Sequence, residues 1–129
     1  MPRPKGKSEL LTTVELEFMM VLWRMGESTV REVLEGLNGE EKRAYTSVAT
    51  VLKVLNDKGY VTAKKQDRAI LYKPTLSKAE YEGKTLKSLA ASLFNGTPTA
   101  MVARLVDDED LSEETIKEIK DIIDTRFGR

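Results

Sequence analysis

Tyr45-Thr46-Ser47-Val48-Ala49-Thr50-Val51-Leu52-Lys53-Val54-Leu55-Asn56-Asp57-Lys58-Gly59 is the stretch on which the fold turns. Val48, Val51, Leu52 and Leu55 recur at i, i+3, i+4 and i+7, which lines one face of an α-helix with apolar groups. At about 100° per residue, Thr46, Thr50 and Lys53 come round to the opposite side, flanked by Ser47 and Ala49. Gly59 stops the helix. Two runs of strand-forming residues follow, Tyr60–Lys65 and Ala69–Lys73, separated by Gln66-Asp67-Arg68. That arrangement predicts a β-hairpin. Pro74 closes its second strand, where a missing N–H does least harm.

Upstream, two more helices are predicted. Thr12 with Glu15 forms a capping box, and Val14, Phe18, Val21, Leu22 and Met25 repeat at helical spacing with Met19 and Trp23 beside them, up to Gly26. The bulky cluster Phe18, Met19, Met20 and Trp23 is assigned to the core. Thr29 with Glu32 caps a second helix whose stripe is Val30, Val33, Leu34 and Leu37, ending at Asn38-Gly39. Residues 1–9 hold two prolines, a glycine and three basic residues, and read as a flexible arm. Three helices and then a hairpin is the element order of a winged helix-turn-helix.

Downstream of Leu76 the pattern is helical. Ser77 with Glu80 is a third capping box, opening a helix with Tyr81, Leu86, Leu89, Ala90, Leu93 and Phe94 that ends at Asn95-Gly96. Thr97-Pro98 starts a short helix with Met101, Val102 and Leu105. Ser112 caps a last one with Ile116, Ile119, Ile122, Ile123 and Phe127 on one side. The fold class expected is therefore mainly α with a small β-hairpin wing: a winged helix-turn-helix over residues 1–76 and a helical dimerisation region over 77–129. Amphipathic helices that follow a complete small domain need a partner surface. A second copy provides one through Leu86, Leu89, Leu93, Phe94, Met101, Val102, Leu105, Ile116, Ile119 and Ile123. The alternative is that these helices cover their own wing domain.

The 129 residues suit one small domain with such an appendage, and 40% hydrophobic content is too apolar for a disordered chain. With 0 Cys and 0 His, disulfides, thiolate nucleophiles and zinc fingers are excluded. No nucleophile, base and stabiliser set can be assembled, so an enzyme is not expected. Asp107-Asp108 and Glu113-Glu114 read as solvated helix-end charges, so neither metal nor cofactor is predicted. No apolar run reaches the roughly 18 residues of a membrane span, and the basic N-terminus precedes no apolar core of a secretory signal. A cytoplasmic protein is expected.

The formal net charge of zero hides a local excess. Residues 42–73 carry 8 basic side chains against Asp57 and Asp67. A helix face that is polar, short and free of carboxylates suits the major groove, where hydroxyls bond base edges and methyl groups meet thymine. Thr46, Ser47, Ala49, Thr50 and Lys53 form that face. Lys64, Lys65 and Arg68 at the hairpin are placed to hold backbone phosphates, and Arg43 and Tyr45 at the helix entry are assigned to phosphate too. The chemistry points to double-stranded DNA. The competing readings are a protein-interaction module with an acidic partner, and a ligand-gated regulator with an apolar pocket between the wing domain and the C-terminal helices.

Several segments also resemble the penicillinase-repressor family (the BlaI/MecI/CopY type). Leu11–Trp23 is similar to its opening helix, Ser28–Val33 to its second, and Ala44–Val61 to its recognition helix and strand entry. Phe94-Asn95-Gly96 before a short helix is similar to its C-terminal half. The resemblance implies a homodimeric winged-helix transcriptional repressor on a dyad operator, released in many members by a sensor protease. Copper-responsive members use C-terminal cysteines, which this chain lacks. Where β-lactam-responsive members carry a scissile Asn-Phe step, this chain has Val102-Ala103-Arg104-Leu105-Val106.

Overall fold

A computed structural model describes residues 10–37, 43–108 and 110–127. Its elements are α1 (Thr13–Met25), β1 (Ser28–Thr29), α2 (Val30–Gly36), α3 (Tyr45–Asp57), β2 (Val61–Gln66), β3 (Ala69–Pro74), α4 (Lys78–Leu93), α5 (Pro98–Asp108) and α6 (Glu113–Phe127). The basic arm 1–9, the Asn38-Gly39 stop and Lys42 lie outside the described residues.

The capping boxes are closed in both directions. Thr12 N donates to Glu15 Oε1 at 2.9 Å, and Glu15 N to Thr12 Oγ1 at 3.1 Å. Thr29 with Glu32, and Ser77 with Glu80, repeat the pattern. The buried face of α1 is Glu15, Phe18, Met19, Val21 and Leu22, while Val14, Met20 and Met25 are exposed. Turning Phe18, Met19 and Leu22 inward rotates Val14 out, and the bonded Glu15 carboxylate comes in beside them. α2 packs closely on α1: a Cβ at Gly36 would lie 2.9 Å from Val21 Cγ1 and 2.8 Å from Met25 Sδ.

The sheet has a third strand that periodicity did not predict. The order is β1-β3-β2, all antiparallel, with Ser28 opposite Tyr72 and Thr29 opposite Leu71. Two residues carry too little pattern to betray a strand. The hairpin turn is also tighter than expected. Gln66 joins the ladder opposite Ala69, leaving Asp67-Arg68 as the loop, with Asp67 at φ 58°. Aspartate tolerates that left-handed conformation better than most side chains.

Phe18, Met19 and Leu22 meet Val33 from α2, Val48, Leu52 and Leu55 from α3, and Tyr60, Val61 and Tyr72 from the hairpin. The start of α4 joins them. Tyr81 accepts the Leu11 N–H on its hydroxyl at 2.9 Å and sets its ring 5.7 Å from Trp23 and 6.1 Å from Tyr60. Trp23 Nε1 donates to the Leu76 carbonyl at 3.0 Å. The first compact unit thus extends to Leu86, past the boundary expected at Leu76, and the second comprises residues 87–129. In that second unit neither α5 nor α6 has a buried residue among those described. Among the described residues no helix is long and apolar enough to cross a membrane.

Candidate nucleic-acid interface

Burying Val48, Leu52 and Leu55 forces the other side of α3 outward. Tyr45, Thr46, Ser47, Thr50 and Lys53 are all exposed there. Ala49 differs from the expectation: it is half-buried and packs against the core, so it borders this face instead of standing on it. Thr50 Oγ1 donates to the Thr46 carbonyl at 2.9 Å. With its proton so engaged, Thr50 offers the outside an acceptor oxygen and a methyl group. α3 has no acidic residue in its first turn, and Ala44 at its N-cap provides no side-chain bond. Its first backbone N–H groups stay unpaired by any cap, a setting that suits an anion.

The wing residues Lys64, Lys65 and Arg68 are exposed. Successive strand residues face opposite ways, so the two lysines project from opposite sides of the ribbon. Lys65 stands across from Ile70, and Lys64 across from Leu71.

The positive field is narrower than the charge count suggests. Arg43 Nη2 donates to Glu17 Oε1 at 2.8 Å, and its guanidinium lies 5.8 Å from the Phe18 ring centre. The residue assigned to phosphate is thus engaged with α1. Lys58 Nζ donates to Glu15 Oε2 at 2.8 Å. Lys53, Lys64, Lys65, Arg68 and Lys73 have no carboxylate partner among the described residues. Burial works to raise the Glu15 pKa, but the Lys58 and Thr12 hydrogen bonds and the Lys58 charge outweigh it and hold the carboxyl below its ordinary value. Burial, with a smaller contribution from nearby Tyr45, pushes the Tyr72 phenol up.

The residues assigned to dimerisation carry their apolar side chains at the surface. Leu86, Leu93, Val102, Leu105, Ile116 and Ile123 are exposed, with Leu93 at 65%, while Leu89, Phe94, Met101 and Ile119 are half-buried. Val106, which the sequence pattern passed over, and Ile122 and Phe127 extend the exposed set. Val106 stands four residues after Val102 and was legible at helical spacing. A groove of about 750 Å³ runs past Met20, Trp23, Pro74, Leu76 and Glu80, all within the first unit. Among the described residues no group of carboxylates could hold a metal ion.

Three helices, a sheet-borne hairpin and an outward hydroxyl face on the third helix define a winged helix-turn-helix protein. The penicillinase repressor profile matches residues 11–125, and the chain belongs to that family, one of transcriptional repressors and not of enzymes. It is 27% identical over 119 residues to the penicillinase repressor of Bacillus licheniformis, covering 92% of this chain and 93% of that one. To the methicillin resistance regulatory protein MecI of Staphylococcus aureus it is 22% identical over 121 residues, covering 94% and 98%. The penicillinase repressor of Staphylococcus aureus is 19% identical over 118 residues, covering 92% and 94%.

Proposed function

We propose that the chain is a dimeric, sequence-specific DNA-binding repressor acting in the cytoplasm. α3 enters the major groove, the wing over residues 60–73 lies on the phosphate backbone, and residues 77–129 pair with a second copy. The observation that carries this reading is the exposed face Thr46, Ser47, Thr50 and Lys53, set opposite the buried Val48, Leu52 and Leu55. Thr50, limited to accepting, fits an adenine or cytosine amino group or a thymine methyl. A two-fold pair presents two such helices about one turn of DNA apart and so calls for a dyad operator. The apolar exposure of α5 and α6 supports the pairing. A sensor protease is the inactivating partner that the family resemblance adds.

The test is a gel shift of the full chain on random-sequence duplex and on duplex selected from a random pool. Retardation of both, with tighter binding to the selected duplex, is expected. Thr50→Ala should cost about 1–3 kcal/mol on the selected duplex alone. No retardation at low salt would reject DNA in favour of an acidic protein partner.

A further inference from the structure

We propose that Arg31, carried on the ring of Tyr45, is the arginine that grips a DNA phosphate beside the entrance of α3. This rests on the DNA-binding reading and replaces Arg43 in the role that the sequence pattern gave it.

Arg31 is the second residue of α2 and is exposed. Its guanidinium carbon lies 5.4 Å from the centre of the Tyr45 ring. Among the described residues it has no carboxylate partner. A guanidinium resting on an aromatic face keeps the N–H groups around its edge free, and those are the donors that match a phosphate. The ring also limits the arm's motion beforehand, so less entropy is lost on contact. Arg43 is in the opposite condition, with its charge met by Glu17 at 2.8 Å.

Both partners of this contact sit at helix starts. Tyr45 is the first residue of α3, immediately before Thr46 on the hydroxyl face. Tyr72 lies on β3 opposite Ser28, and that pairing ties the start of α2 to the same strand. That pairing joins the beginning of α2 to the sheet, and Arg31, two residues beyond Thr29, faces outward beside Tyr45. The two-residue strand β1, silent in the sequence, is what brings Arg31 there.

The experiment measures binding of the full chain to random-sequence duplex and to pool-selected duplex across a salt titration. Arg31→Ala is expected to weaken both by about tenfold and to lower the slope of log K against log salt by about 1 per bound chain. Arg31→Gln should do the same, with the melting midpoint of both variants unchanged, which separates lost contact from lost fold. Arg43→Ala should keep the slope. Tyr45→Ala should lose part of what Arg31→Ala loses, with the double variant less than additive. A parent-like slope for Arg31→Ala, while Lys65→Ala with Arg68→Ala lowers it, would overturn the role of Arg31 and leave DNA binding standing. Loss on the selected duplex alone would make Arg31 a base reader and overturn the phosphate assignment. A parent chain that binds neither duplex would end both proposals.

Discussion

The two units of this chain are built from helices of similar amphipathic character, yet they end in opposite states. In the first, Phe18, Met19, Leu22, Leu52 and Leu55 are fully buried. In the second, neither α5 nor α6 has a buried residue among those described, and Phe127 is 78% exposed. The difference lies in what each apolar stripe finds to cover it. α1, α2 and α3 close on one another and on a sheet, so every stripe has a facing surface. α5 and α6 present theirs outward. A helical hydrophobic pattern states that a face must be covered, and says nothing of whether the cover is in the same molecule.

The sharpest way to break this contrast is to truncate equivalent leucines. Leu52→Ala should destabilise the first unit by about 2–5 kcal/mol in urea unfolding, because the side chain is enclosed and leaves a cavity. Leu105→Ala, made at a protein concentration where the chain is monomeric, should change stability by less than about 0.5 kcal/mol. Equal losses at both sites would dissolve the distinction.

Next in size is the effect on association. The parent should melt at a higher temperature as protein concentration rises, since pairing favours the folded state. Leu93→Asp combined with Ile123→Asp should remove that dependence and sediment as a monomer, a loss of about 2 kcal/mol or more of association energy. A parent midpoint indifferent to concentration would mean that α5 and α6 need no second copy.

A third experiment sharpens the description of the first unit. The Glu15 carboxylate, 7% exposed, is held by Thr12 and Lys58. Glu15→Gln should cost about 1 kcal/mol at neutral pH, a charged hydrogen bond discounted for the partial exposure of Lys58. The folded carboxyl titrates below 4.5, so its ionised form stabilises the fold above that value. The contribution drains away as pH falls through the lowered folded value, and the gap between parent and variant should close there. A gap that persists at acid pH would assign the loss to packing.

The smallest effect concerns the contact of α1 with α2. Gly36→Ala gains helix propensity but presses a methyl group on Val21, whose branched side chain has little freedom to move. A net loss of about 1 kcal/mol in thermal melts is expected. A stabilised variant would show that Met25 and Val21 relax, and that this packing is looser than that around Leu52.

Signals confined to one turn of chain hold in the structure. The pairs Thr12 with Glu15, Thr29 with Glu32, and Ser77 with Glu80 each closed as capping boxes, because both partners lie within one turn. The stripe Val48, Leu52, Leu55 fixed which side of α3 faces out. What escaped has its partners far along the chain. Val14 falls on the apolar repeat of α1 by spacing, yet it is exposed while Glu15 is buried and bonded to Lys58. Arg43, assigned to phosphate by its place at the helix entry, is paired with Glu17, which no local spacing marks as its partner. Ala49 bordered the outward face by angle, and packing turned it halfway in. Ser28 and Thr29 gave no strand signal, since a two-residue strand exists only through β3.

By itself, then, the sequence determined helix ends, the hairpin and the side of α3 that must be covered, all through interactions spanning a turn or two of chain. Only the tertiary structure decided which charges remain available. A cation beside a distant carboxylate loses most of its outward field, and that proximity is a property of packed elements. Lys58 and Arg43 were committed to α1 in this way, and Arg31, unremarkable in a list of residues, was left facing out beside Tyr45.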